Sequence, residues 1–178
     1  LRMTGQRFRL LVAATGGASL LLVAAAVALT HLLELNPCPL CILQRVIDIA
    51  LGVLLLGVAA VGAAARWVRP ALALALALAS GGVAVAGYQS WLQWSPPPLS
   101  CGPASQGPVE WLVAWLGERV PWLFLATGAC ESKELSILGL SLANWSLAAY
   151  FAFAALIVVL LRAHRRLHRD TYAPHRTF

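Results

Sequence analysis

Charge is scarce in this chain. Only 11% of its 178 residues are charged, and seven of them are acidic. Soluble domains carry about 25%, so a water-exposed globule is excluded and a membrane protein is indicated. Signatures for a built-in electron acceptor are missing as well. There is no glycine-rich dinucleotide fingerprint, no haem-attachment motif and no iron–sulfur spacing. Electrons passing through the chain would need an acceptor from outside it. Histidine is sparse and poorly placed for metal. His31 lies in the first outer connection, while His164, His168 and His175 lie in the basic tail. A zinc centre would fall to the four cysteines alone. In an oxidising compartment those are expected to be paired, so no metal is expected.

What the chain has in abundance is apolar sequence, at 60%. Four runs, at about 10–29, 42–65, 71–91 and 143–161, match the roughly 20 helical residues that cross a bilayer core. Residues 71–78 alternate Ala and Leu. Both are good helix formers, and an open strand could not satisfy its backbone in lipid, so a helix is predicted there too. The first run follows Arg7 and Arg9 and exceeds the roughly 7–15 apolar residues of a signal peptide, so it is read as a retained span. The length allows one compact bundle. The predicted fold is an all-α membrane protein: residues 1–178 as one domain, a four-transmembrane-helix bundle with a long outer loop carrying a short interfacial helix near 109–116.

Charge distribution orients the bundle. Ten of the thirteen Lys and Arg residues fall before the first run, between the second and third, or after the fourth. The other two connections hold only Arg119 and Lys133 among basic residues, with Glu34, Glu110, Glu118, Glu131 and Glu134. The positive-inside rule places both termini and the tail 162–178 in the cytoplasm, and loops 30–41 and 92–142 outside. The net charge of +6 is therefore a topology signal and not a nucleic-acid surface, because each basic cluster abuts an apolar run. The tail adds attraction to anionic lipid. Six of seven tryptophans (Trp91, Trp94, Trp111, Trp115, Trp122, Trp145) sit in or beside the long outer loop, as anchors at headgroup level. Pro96-Pro97-Pro98 is expected to stop the third helix and start an extended stretch.

All four cysteines, Cys38, Cys41, Cys101 and Cys130, then lie on the outer side. A Cys101–Cys130 disulfide would close a loop of about 30 residues, worth roughly 3–4 kcal/mol as a structural bond. Cys38-Pro39-Leu40-Cys41 closes almost no loop, and such a bond is usually there to be opened. Asn36-Pro37 and Pro39 put Cys38 and Cys41 at the start of the second helix, where free amides and the positive helix end favour a thiolate. Arg45, one turn past Cys41, adds about 2–3 kcal/mol to an anion 6–10 Å away at an effective dielectric near 20. Charge at membrane depth is costly and asks for a function. Asp48, three residues further on the same face, is placed to pair with Arg45 and would then weaken that stabilisation. A diffusible quinone in the bilayer could reach Cys41 directly.

The segment Asn36-Pro37-Cys38-Pro39-Leu40-Cys41-Ile42-Leu43-Gln44-Arg45 resembles the first outer loop of the DsbB disulfide-bond-formation family. Trp91-Leu92-Gln93, Cys101-Gly102-Pro103, Thr127-Gly128-Ala129-Cys130-Glu131, Leu138-Gly139-Leu140 and Asn144-Trp145 extend the match. The resemblance implies a bacterial inner-membrane enzyme. It would reoxidise a periplasmic thioredoxin-fold, DsbA-like protein and pass the electrons to ubiquinone or menaquinone. It further implies that Cys101 is attacked by the reduced partner, that the released Cys130 attacks Cys38, and that Cys41 is freed as a thiolate against the quinone. Arg45 would stabilise that thiolate and the reduced ring oxygen, with Gln44 on the quinone side where relatives often carry an acid. Two positions depart from the family pattern. Asp48 stands where an apolar residue is usual, and Tyr88 and Gln89 stand near a histidine seen in some members. Two other readings of the residues are a vitamin K epoxide reductase-like enzyme, whose Cys-x-x-Cys sits later in the chain, and a membrane scaffold with structural disulfides.

Overall fold

Each long helix starts or stops on residues suited to the task. In this computed structural model, residues 4–62, 65–94, 107–130 and 135–172 are described, with side chains to residue 167. Cys101, the proline run at 96–98, Lys133 and Glu131 lie outside the described residues. Helix α1 (Gly5–Leu32) opens at Thr4, whose hydroxyl accepts the Arg7 amide at 3.3 Å, satisfying one of the donors a helix start leaves unpaired. It closes around Glu34, at φ +50°, with the Leu35 amide donating back to the Thr30 carbonyl. Helix α2 (Pro39–Val61) opens on Cys38, with Pro39 in the first turn, where its missing N–H costs nothing. It stops at Gly62, whose φ of +85° suits glycine alone. The second span therefore ends at 61 and not at the 65 predicted from apolar content.

Helices α3 (Val68–Trp94), α4 (Pro108–Arg119) and α5 (Pro121–Phe124) follow. Next comes a small antiparallel hairpin of β1 (Ser136–Ile137) and β2 (Leu140–Ser141), and then α6 (Leu142–Tyr172). The predicted interfacial helix is α4, longer at both ends than 109–116. The hairpin is absent from the predicted all-α fold. Its turn puts both Leu138 (φ +54°) and Gly139 (φ +79°) in the left-handed region, the geometry that matches strand twist. Leucine there is unusual, which hides the turn in the sequence. The Trp145 indole donates to the Ile137 carbonyl at 3.1 Å and ties the hairpin to α6. That helix continues through the start of the predicted tail to Tyr172.

Among the described residues four helices, α1, α2, α3 and α6, are long and apolar enough to cross a membrane. The chain is an all-α, four-span, multi-pass membrane protein. α1 packs on α2, α2 on α3 and α3 on α6, while α6 meets α1 along a shorter seam. Phe8, Leu51, Leu55, Leu72, Tyr150 and Ile157 are among the fully buried side chains of the core. The Tyr150 ring packs against Gly82 of α3, where a Cβ would strike it. Leu21, Val53, Leu74 and Phe151 stay exposed on the outer faces of the bundle, where hydrocarbon and not water is the solvent. The six outer tryptophans are exposed at the other end from Arg66 and Trp67, and Arg119 stacks on Trp115 with its guanidinium 5.0 Å from the ring. α2 buries the largest share of its length, so the Cys-x-x-Cys motif sits on the innermost helix.

Candidate active site

Cys38 caps α2. Its sulfur accepts the Cys41 amide at 3.4 Å and lies 3.2 Å from the Cys41 sulfur. Cys38 is 2% exposed, and Cys41, half-buried, borders a cavity. The segment after α5 brings a third sulfur to the pair. The amides of Thr127 and Gly128 both donate to the Pro37 carbonyl, at 2.9 and 3.1 Å, and the Thr127 hydroxyl donates to Asn36 Oδ1 at 3.1 Å. Gly128 has to be glycine for this contact, since a Cβ there would run into the Asn36 carbonyl oxygen. Two residues on, Cys130 is completely buried among Cys38, Leu40 and Leu92. The hydrogen bonds of the Cys38 thiol to Cys130 and Cys41, and then its burial, push that thiol up. Three of the four predicted site cysteines thus form one cluster; the fourth, Cys101, lies outside the described residues.

Arg45 is 6% exposed. Its guanidinium donates to the Leu123 carbonyl at 2.8 Å, to the Ala26 carbonyl at 3.4 Å and to the Thr30 hydroxyl. It therefore ties α1 and the α5 segment to α2 one turn below Cys41. The structure does not pair it with Asp48. Asp48 turns to α1 and α6, where the Ser19 hydroxyl donates to its carboxylate at 3.3 Å and the Tyr150 hydroxyl also contacts it. The masking of Arg45 that the sequence allows is absent, and the arginine's charge meets only neutral oxygens among the described residues.

Gln44 is buried, and its amide donates to Gln89 Oε1 of α3 at 2.7 Å. The amide nitrogen of Gln89 in turn reaches Cys41 Sγ at 3.1 Å and Cys38 Sγ at 3.4 Å. Sequence reasoning noted Gln89 only as a departure from a histidine and assigned it no role. Its neighbour Tyr88 points away and stacks on Trp91, with centroids 5.9 Å apart. His31 is remote from the sulfurs, its ring nitrogen 2.8 Å from the Trp122 carbonyl. Among the described residues no three histidine, cysteine, aspartate or glutamate side chains converge as a metal site.

The cavity beside Cys41 has a volume of about 470 Å³. Leu22, Ala26 and Leu29 of α1 and Ala143, Ser146 and Ala149 of α6 form its walls. Cys41, Gln44, Arg45, Asp48 and Gln89 supply its polar side. Mostly apolar walls with a few convergent polar groups, in this size range, are the usual form of a small-molecule site.

The family model described as "Disulfide bond formation protein DsbB" matches residues 7–160. A protein of Dechloromonas aromatica (strain RCB) named "Disulfide bond formation protein B" is 43% identical over 141 residues, covering 78% of this chain and 83% of its own length. A protein of the same name from Acidovorax sp. (strain JS42) is 36% identical over 166 residues, covering 93% of this chain and 94% of its own.

Proposed function

Because the chain belongs to the DsbB family of disulfide bond formation proteins, we propose that it is a thiol:quinone oxidoreductase of the bacterial inner membrane. It reoxidises a periplasmic, thioredoxin-fold, DsbA-like partner and hands the electrons to ubiquinone or menaquinone. Both termini are cytoplasmic in this reading, and the cysteine loops face the periplasm. The observation that carries the reading is the burial of Cys130 against Cys38 with Cys41 at the edge of an apolar cavity.

The relay follows from thiol–disulfide exchange. A thiolate of the reduced partner attacks Cys101 of a Cys101–Cys130 disulfide, forming a mixed disulfide and releasing Cys130. Cys130 then attacks Cys38 of the Cys38–Cys41 disulfide, and the Cys41 sulfur leaves with the electron pair. The partner's second thiol closes the partner disulfide and frees Cys101. Cys101 attacks Cys130 in the Cys130–Cys38 link, which restores Cys101–Cys130 and leaves Cys38 and Cys41 reduced. Each exchange conserves the number of disulfides. Docking of residues 127–128 on Pro37 turns the Cys130–Cys38 step into an intramolecular reaction between groups already in contact.

A quinone fits the residues present. The aliphatic walls accept a flat apolar ring and an isoprenoid tail, and Arg45 and the Gln44 amide offer donors for ring oxygens. When bound, it supplies a two-electron, two-proton acceptor. The chain's own part is to aim the Cys41 sulfur at the cavity, to keep a positive charge one turn away, and to exclude water with α1 and α6.

Anaerobic turnover tests this reading. The full chain in lipid nanodiscs, given a reduced thioredoxin-fold dithiol and ubiquinone or menaquinone, should form one quinol per partner disulfide. Cys41→Ser should abolish quinol formation. Partner oxidation with no quinol, or quinol formation that survives Cys41→Ser, would overturn it.

A further inference from the structure

A primary amide has one accepting and one donating end. In Gln89, 3% exposed, the accepting end is occupied by the Gln44 amide at 2.7 Å. The donating end is thereby fixed toward sulfur, with Cys41 Sγ at 3.1 Å and Cys38 Sγ at 3.4 Å. Gln44 is itself 6% exposed, so bulk water competes little for either side chain. A thiol sulfur is a weak acceptor. A buried NH₂ group facing only thiols would be poorly satisfied, whereas a charged acceptor makes a hydrogen bond roughly twice as strong. The pair is matched to a sulfur that carries charge.

We infer that Gln89 is a catalytic hydrogen-bond donor to Cys41, and that Gln44 is the positioning residue that locks its orientation. The device acts when Cys130 attacks Cys38. As the Cys38–Cys41 bond breaks and the electron pair moves to the Cys41 sulfur, the Gln89 amide is already in place to receive that charge. No proton needs to move for the bond to break. Of the two sulfurs, that of Cys41 lies nearer the Gln89 amide nitrogen, at 3.1 Å against 3.4 Å, while the contacts of Cys38 with Cys130 and Cys41 push its thiol up. The same geometry makes the Cys38–Cys41 pair easier to reduce, which favours accepting electrons from Cys130. This deepens the role given to Cys41 under the proposed function, but its test needs no quinone.

The test uses the full chain with Cys101→Ser and Cys130→Ser, so that Cys38 and Cys41 are the remaining cysteines. The reduction potential of the pair is read against glutathione buffers without added quinone, and alkylation of the reduced pair is timed at pH 7. Gln89→Met should shift the equilibrium toward the disulfide by about 10- to 100-fold, a potential lower by about 30–60 mV, and should slow alkylation. Gln89→Glu keeps the length and the bond from Gln44 but presents an acceptor to the sulfurs, so it should shift the same way and at least as far. Gln44→Met should shift the potential in the Gln89 background and have no further effect on Gln89→Met, because it acts only through Gln89. Unchanged potentials in both Gln89 variants would overturn the inference. So would a Gln44→Met shift that adds in full to that of Gln89→Met.

Discussion

Replacing Gly128 by alanine should uncouple the two outer loops. The added Cβ would meet the Asn36 carbonyl oxygen, which is backbone and cannot swing aside. The 127–128 segment must then lift off Pro37, at the expense of the two amide bonds at 2.9 and 3.1 Å. At about 1 kcal/mol for each, docking weakens by about 2 kcal/mol, or roughly 30-fold in an equilibrium constant. The assay uses a chain with Cys41→Ser and Cys101→Ser, in which Cys38 and Cys130 are the two cysteines left. Equilibration in a glutathione redox buffer gives their effective concentration from the fraction linked. Gly128→Ala should lower it about 30-fold. Gly81→Ala, where a Cβ meets nothing within 4 Å, should leave it unchanged. An unaltered effective concentration in Gly128→Ala would show that the Pro37 contact does not position Cys130.

The remaining predictions address the charges, the relay and the topology. Arg45→Met removes about 2–3 kcal/mol of stabilisation from a Cys41 thiolate and should slow quinone reduction by roughly 30- to 150-fold. Stopped-flow traces should show a single turnover of partner oxidation little changed, and equal quinone rates in both proteins would make the arginine structural. Asp48→Leu should leave Cys41 alkylation unchanged, since the carboxylate faces Ser19 and Tyr150 and not Arg45. Stability should change by less than about 1 kcal/mol, because the Ser19 hydroxyl keeps the backbone carbonyl of position 48 at 2.8 Å and the Tyr150 hydroxyl keeps the Gln44 carbonyl at 3.0 Å, as thermal denaturation would report; faster alkylation would restore the Arg45 pairing. Cys130→Ser should trap the partner on Cys101, seen as a mixed disulfide on non-reducing gels, and a partner found on Cys130 in Cys101→Ser would reverse the assigned order. Membrane-impermeant thiol reagents should label Cys101 in intact, reduced cells, and labelling only after lysis would invert the topology.

The spans were legible because 20-residue apolar runs have few alternatives, but apolar content did not mark the helix ends: α6 runs on to Tyr172, past the predicted 161. Gly62 stops α2 through backbone conformation, which apolar content does not encode. Cys38, Cys41 and Arg45 could be read as a unit because helical spacing puts i and i+4 on one face. Cys130 could not be placed that way. Its contact with Cys38 spans 92 positions and depends on backbone bonds to Pro37 and on space at Gly128. Gln89 escaped for a related reason: it lies on another helix from the sulfurs, and a buried glutamine reads equally well as a helix-to-helix link. Asp48 and Arg45 share a face in the sequence, yet Ser19 and Tyr150 on neighbouring helices offered the carboxylate nearer partners. The Cys-x-x-Cys position favoured the DsbB resemblance over a vitamin K epoxide reductase-like one, and the family match bears that out.

The central claim is that electrons pass from one loop to the other through Cys130 and Cys38. Rapid acid quenching during one anaerobic turnover, with peptide mapping of every disulfide, tests it most directly. A Cys38–Cys130 link should appear after the partner's mixed disulfide on Cys101, precede quinol, and decay as Cys38 and Cys41 become reduced. Quinol formed at full rate with no Cys38–Cys130 link at any time would contradict the relay.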